Sequence, residues 1–309
     1  MANAAIVGAG AMGLLLAAKM NAVGVDCELW TRTVEQAEML GKEGITLQRS
    51  TGEQQEPIAV KAMALEEAAT PPEGGPGILF LAVKQTALKP DFLASLARAV
   101  PSGGTIVALQ NGYGHLEVLA KALPNSVVIP VVTTEGALRI DGTTVKHTGR
   151  GDFKVGKSDG PRYDGSNQVE RMLNQAGFSA IASNDWEEAL MRKLLANAVI
   201  NPLTALWGVR NGQLLESEPK IDVMKALFRE TFGILQRHKE IGEEDELWES
   251  IERICAASAV NRSSMLQDVL AGRDTEIDFI NGAVCRMAAE QGVPSPWNDS
   301  LAALVKAMR

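Results

Sequence analysis

One short segment constrains this chain more than any other: a glycine-punctuated turn near the N-terminus. Ala4-Ala5-Ile6-Val7 is an apolar run, Gly8-Ala9-Gly10-Ala11-Met12-Gly13 follows, and Leu14 to Val23 continues as an apolar helix pattern closed by Gly24. Asp26 to Thr31 then alternates in polarity, which predicts a second strand. Strand, tight turn, helix and strand within about 30 residues make a βαβ unit. The glycines divide the work. Gly8 allows the turn, Gly10 lets backbone approach a pyrophosphate, and Gly13 lets the helix pack closely on the sheet. The helix N-terminus adds N–H groups and a positive dipole. In this context Gly8, Ala9, Gly10, Ala11, Met12 and Gly13 predict a dinucleotide-binding turn, with a ligand-free packing turn as the alternative. The apolar stretch from Ala4 to Ala18 has no basic residues before it, and Lys19 ends it short of the ~20 residues a membrane span needs, so it is expected to be buried strand and helix.

The pattern continues with strands at Ile78 to Val83 and Thr105 to Leu109, and helices at Pro90 to Ala99 and His115 to Ala122. Strands separated by helices predict a parallel sheet covered on both faces. Val127 to Lys157 is rich in strand signals, with Asp141-Gly142 as a hairpin turn, and is expected to close the first domain with antiparallel strands. Beyond Asn184 strand signals vanish. Asp185 reads as an N-cap with Glu188 at N3. Ile221, Met224, Leu227, Phe228, Thr231 and Leu235 recur at helical spacing, as do Leu247, Ile251, Ile254 and Cys255, and then Ile277, Ile280, Val284 and Met287. The expected fold is an α/β Rossmann-type N-terminal domain over residues 1–183 and an all-α C-terminal domain over 184–309, packed together around a cleft. A chain of 309 residues suits two domains.

Composition excludes several functions. Thirty Lys and Arg against 38 Asp and Glu give a net charge of −8. That argues against a nucleic-acid or anionic-membrane surface. With 46% hydrophobic and 22% charged residues the chain is of ordinary globular composition. Cys27, Cys255 and Cys285 are few, odd in number and far apart, which fits a reducing cytoplasmic setting better than a disulfide framework. His115, His147 and His238 lack metal-ligand spacing, so no metal is expected. Hydrolase and kinase motifs are absent. Monomer and homodimer remain equally open.

The second strand ends Trp30-Thr31-Arg32-Thr33, without the carboxylate that reads an NAD ribose; Glu28 lies inside the strand. Arg32 can pair with a 2′-phosphate, which points to NADP(H). Lys84 follows the strand ILFLAV on the ligand side of a sheet and can reach a cofactor phosphate. Asn111-Gly112-Tyr113-Gly114 is another loop at a strand's carboxyl end, where the Asn111 amide can bond cofactor or substrate. In the second half, Lys193, Asn197 and Asn201 stand at i, i+4 and i+8 on an otherwise apolar helix. A polar stripe on a buried helix needs polar partners, either a wet ligand cleft or an internal hydrogen-bond network. Ser264 and Asp268 form a second i, i+4 pair, and Thr275-Glu276-Ile277 stands at the expected start of the helix carrying Ile280 and Val284. Capping and surface charge are the plainer roles for these residues.

Three blocks, GAGAMG with its βαβ unit, RKLLANAVINPLTALW, and NRSSMLQDVLAGRDTEIDFING, together resemble the ketopantoate reductase (2-dehydropantoate 2-reductase) family. The resemblance implies a Rossmann-type domain followed by a helical one. It implies NADPH-dependent reduction of 2-dehydropantoate to (R)-pantoate, on the way to pantothenate and coenzyme A. It also implies Lys193 as catalytic lysine and Glu276 as its partner. Asn197, Asn201, Asn211 and Ser264 fall at polar, substrate-binding positions of the cleft, Asn111 at the cofactor–substrate junction, and Arg32 and Lys84 at the 2′-phosphate. Lys193, with an ordinary lysine pKa near ~10.4, is expected to be the general acid. The expected partner is a small-molecule 2-keto acid. A reductase of another branched 2-keto acid and a non-catalytic NADP(H) sensor are the alternatives.

Overall fold

The strand β1 (Ala4–Val7) is buried along its whole length, as a strand covered on both faces must be. A computed structural model describes residues 4–49, 51–68, 75–157 and 165–308 and sets β1 inside an eight-stranded sheet. The first half runs α1 (Ala11–Ala22), β2 (Cys27–Thr31), α2 (Val34–Glu43), β3 (Thr46–Gln48), β4 (Lys61–Ala64), α3 (Leu65–Ala68), β5 (Ile78–Leu81), α4 (Pro90–Ala99), β6 (Thr105–Ala108) and α5 (His115–Ala122). It continues with β7 (Val127–Thr133), β8 (Gly136–Arg139), β9 (Thr144–Gly149), β10 (Asp152–Gly156), α6 (Gly165–Gln175) and β11 (Ser179–Ser183). The order β4-β2-β1-β5-β6-β7 is all parallel and follows the 3-2-1-4-5-6 order of a Rossmann sheet.

Side-chain alternation assigns the two cores. Ile6, Leu29, Phe80 and Val107 face one side, where α1 lays Leu14, Leu15 and Ala18 against them. Their neighbours Ala5, Val7, Trp30, Leu79, Leu81 and Ile106 face the other side with Leu96 of α4 and Leu119 of α5. The α/β reading is therefore borne out.

The 127–157 segment meets its expectation in part: its internal pairings, β7 with β10 and β8 with β9, are antiparallel, but its outer pairings are parallel. β7 extends the parallel array, and only its pairing with β10 is antiparallel; β11 then adds parallel to β10. The hairpin at Asp141-Gly142 does form, with Asp141 Oδ1 accepting from the Thr143 and Thr144 N–H groups at 2.9 and 2.7 Å. Its strands β8 and β9 leave the main sheet and make a three-stranded one with β3. Nearly a hundred residues separate β3 from its partner strand, and no local periodicity encodes such a pairing.

The second half is helical: α7 (Trp186–Trp207), α8 (Glu218–His238), α9 (Glu244–Ala257), α10 (Ser264–Leu270), α11 (Asn281–Glu290) and α12 (Pro296–Lys306). Two corrections apply. Ile254 is 41% exposed, so the core stripe of α9 is Leu247, Ile251 and Cys255. The expected single helix through Ile277 and Val284 is broken: Ile277–Phe279 is a 3₁₀ turn, and Ile280, with φ −108° and ψ −89°, separates it from α11. Thr275 and Glu276 thus precede a turn rather than open a helix. The chain divides into two compact units, one running to Gln110 and from His115 to Trp186, the other combining Asn111–Gly114 with Glu187 onward. Among the described residues no helix is long and apolar enough to cross a membrane.

Phe153 of β10 is fully buried, with its ring edge-on to Phe178 at 4.9 Å. Phe153→Ala should destabilise the first unit by about 3–5 kcal/mol in denaturant unfolding. Val260→Ala, at a site 74% exposed, should change stability by less than about 0.5 kcal/mol.

Candidate active site and cofactor turn

The glycine turn separates packing from ligand binding. Gly8 has φ +107°, and a Cβ there would stand 2.7 Å from Val83 Cγ1. A Cβ on Gly13 would stand 1.8 Å from the Gly8 carbonyl oxygen. Internal packing therefore requires both glycines. Gly10 is different, because a Cβ there would meet only Ala82 O at 3.7 Å. Packing within the protein does not require a glycine at that position, and it leaves space over Gly10 of the kind a dinucleotide-binding turn needs. Gly10 is also the N-cap of α1 and offers no side-chain cap, which leaves first-turn N–H groups for an anion. Ala11 and Met12 begin the helix.

Around this turn stand groups of both kinds, expected and unexpected. Arg32 is exposed just past β2 and Lys84 is half-buried just past β5. Glu28 is engaged within its own strand, its Oε2 accepting from Trp30 Nε1 at 3.0 Å. The sequence reading missed Arg139. From β8 its Nη1 donates to Ala9 O at 3.3 Å, and its Nε to Asp141 O at 2.7 Å. This places a guanidinium on the glycine turn from 130 residues away, with no local signal to betray it. Gln110, also missed, ties the ends of β5 and β6 by donating to Leu81 O and Val83 O at 3.0 and 3.1 Å.

In the helical unit, α7 carries Lys193, Asn197 and Asn201 on one stripe of a 22-residue helix. Twelve of its residues are buried, Asn201 among them. Lys193 is only partly exposed. Burial of its ammonium pushes its pKa down to about 8, and the Glu276 carboxylate opposes that fall. This departs from the ordinary lysine value expected from sequence, because desolvation disfavours the charged form. Glu276 is itself buried, 6% exposed. These two groups are thus brought together.

The remaining polar positions lie on neighbouring segments of the same unit. Asn211 is buried; its N–H donates to Asn261 O at 3.0 Å and its Nδ2 to Ser258 Oγ at 2.9 Å, while its Oδ1 is buried without a partner. Ser264 is exposed as the first residue of α10. The buried serine is its neighbour Ser263, which caps α10 by accepting from Leu266 N and also accepts from the Thr204 hydroxyl of α7 at 2.7 Å. Asp268 pairs with Arg273 at 3.1 Å, a local role. The Asn111–Gly114 loop belongs to this unit because Tyr113 N–H donates to Phe279 O at 2.9 Å and the Tyr113 ring packs edge-on against His238.

Comparison with known proteins gives this geometry its context. Residues 4–160 match the family model described as "Ketopantoate reductase PanE/ApbA", and residues 185–309 match its C-terminal companion. The chain belongs to the ketopantoate reductase family. A 2-dehydropantoate 2-reductase of Bacillus subtilis is 34% identical over 98% of this chain and 96% of its own. One of Archaeoglobus fulgidus is 33% identical over 97% and 96%. Among solved structures, the ternary structure of D-mandelate dehydrogenase with NADH and anilino(oxo)acetate shares the fold, with a TM-score of 0.90 at 23% identity over 99% of this chain and 97% of that one. In this family member the expected site residues fall into two sets. The turn with Arg32 and Lys84 lies in the first unit; Lys193, Glu276, Asn197, Asn201, Asn211, Ser264 and Asn111 lie in the second.

The two inner glycines should separate in mutagenesis. Gly13→Ala should destabilise the fold by about 3 kcal/mol, since only backbone movement relieves the clash. Gly10→Ala should leave the melting temperature nearly unchanged and weaken dinucleotide binding in calorimetric titration. A Gly10→Ala protein with unaltered affinity would remove this turn from the cofactor site.

Proposed function

We propose that this protein reduces 2-dehydropantoate to (R)-pantoate with NADPH, in the route to pantothenate and coenzyme A. It is an oxidoreductase of the ketopantoate reductase family. The observation that carries the residue-level reading is the enclosed Lys193 ammonium beside Glu276, on a helix face that also bears Asn197 and Asn201. The fit of a dinucleotide rests on the open space over Gly10 and the uncapped start of α1. The Gly8–Gly13 turn would hold the pyrophosphate. Arg32 and Lys84 would hold the 2′-phosphate, and one oxygen of Glu28 is engaged by Trp30. When bound, the reduced nicotinamide supplies the hydride.

The chain's own residues handle charge and protons. As the ketone carbon is reduced, negative charge develops on its oxygen. Lys193 Nζ donates a hydrogen bond to that oxygen and then the proton. Its lowered pKa suits this transfer, because an acid near the working pH is both still protonated and ready to give its proton up. Glu276 keeps Lys193 charged while it waits. Asn197, Asn201, Asn211, Ser264 and Asn111 would bind the substrate's carboxylate and hydroxyl.

Lys193→Ala should lose several orders of magnitude in kcat while still binding NADPH; near-full turnover would overturn the assignment. The sign of the pH dependence follows from the lowered pKa. The active form is the ammonium, so kcat should be flat below pH 8 and fall as pH rises through about 8. Arg32→Ala should raise KM for NADPH far more than KM for NADH, and equal effects would contradict the 2′-phosphate role.

A further inference from the structure

Pro202 lies inside α7 and has no N–H, so the carbonyl of Ala198, four residues earlier, has no helical donor. Ala198 is fully buried, where an unpaired carbonyl is destabilising. The missing donor comes from another segment. Asn281 Nδ2 donates to Ala198 O at 2.9 Å and also to Asn298 Oδ1 at 2.9 Å. Asn281 and Asn298 are both 0% exposed. Asn298 Nδ2 in turn donates to Glu230 Oε1 at 2.9 Å and to Thr231 Oγ1 at 3.0 Å. The Trp297 and Asn298 N–H groups donate to the same Glu230 carboxylate at 3.0 and 2.9 Å. A single buried network therefore joins α7, α8, α11 and α12.

The network's position gives it functional weight. Ala198 stands between Asn197 and Asn201 on α7. Asn281 opens α11 directly after Ile280, the residue that ends the turn following Glu276. One side chain thus spans the segment carrying Lys193 and the segment carrying Glu276. One amide hydrogen reaches α7 and the other braces the side chain on Asn298 of α12, while its Oδ1 has no partner. Neither an isosteric leucine nor an aspartate supplies two donors.

We propose that Asn281 is a positioning residue whose amide fixes the register between the Lys193 helix and the Glu276 segment. The proposal rests on Lys193 being the proton donor. Asn281 touches neither reactant and acts through α7. Plain helix repair is the competing role, and Pro202 makes the two separable. Pro202→Ala returns an N–H to the Ala198 carbonyl and so makes the amide unnecessary for repair alone.

The test is the pH profile of kcat for wild type, Asn281→Ala, and Asn281→Ala combined with Pro202→Ala, each with its melting temperature. Asn281→Ala should lower kcat by about 100-fold, leave KM for NADPH unchanged, and move the alkaline limb below the wild-type value of about 8. The sign follows from Glu276 raising the Lys193 pKa: when the carboxylate drifts away, the ammonium loses its proton at lower pH. Glu276→Gln should move the limb the same way, and adding Asn281→Ala to it should move the limb no further. The Asn281→Ala, Pro202→Ala protein keeps a donor for the buried carbonyl and so stays folded; its melting temperature should recover while the limb stays displaced. Recovery of both, or an unmoved limb in Asn281→Ala with Lys193→Ala inactive, would reduce Asn281 to helix repair. A fully active Lys193→Ala enzyme would overturn the acid assignment and the Asn281 role together.

Discussion

A lysine ammonium enclosed by protein is costly unless a fixed negative group stands near it, and that constraint organises the helical half of this molecule. Desolvation drives the Lys193 pKa down, and the Glu276 carboxylate resists. The balance holds only while two segments far apart in sequence keep their spacing. The surrounding structure supplies that rigidity. α7 is buried on most sides, Ser263 anchors its C-terminal half through Thr204, and Asn281 fastens it beside the Glu276 segment. Tyr113 brings the Asn111 loop to the same segment through Phe279. Each contact is ordinary by itself. Together they hold the Lys193 ammonium beside the Glu276 carboxylate, as the proposed acid role requires.

Charge explains why so few residues matter. The chain carries a net −8, yet the proposed ligands, NADPH and a keto acid, are both anions. On that proposal binding comes from local exceptions: the uncapped start of α1, Arg32, Lys84 and Lys193, with Arg139 resting on the glycine turn. Glycine placement follows a similar logic. Gly8 and Gly13 serve the fold, whereas Gly10 leaves room the fold itself does not use.

What the sequence revealed and what it hid divide along physical lines. The glycine turn, the parallel strands and the Lys193–Asn197–Asn201 stripe were legible because period 2 and period 3.6 are written locally. The pairing of β3 with β9 was not, since it joins remote segments that carry only weak strand signals. The break at Ile280 was hidden because Ile277, Ile280 and Val284 keep helical spacing across a 3₁₀ turn. Ser263 and Ser264 are indistinguishable by type, and only the cap geometry shows which is buried. The Lys193 pKa depends on three-dimensional enclosure, so an ordinary value was the natural expectation. Asn281 and Arg139 left no trace because their partners, Ala198 O and Ala9 O, are backbone atoms that any residue would provide.

The enclosed ammonium is the centre of this account, and its titration is the most direct measurement. Lysine NMR of the protein labelled at the side-chain carbon next to nitrogen, assigned with Lys193→Ala, reads the proton on that one group. The expected result is a midpoint near pH 8 for Lys193. A midpoint at the ordinary lysine value near ~10.4 would contradict it, because an ammonium that feels neither burial nor Glu276 is not the buried acid described above.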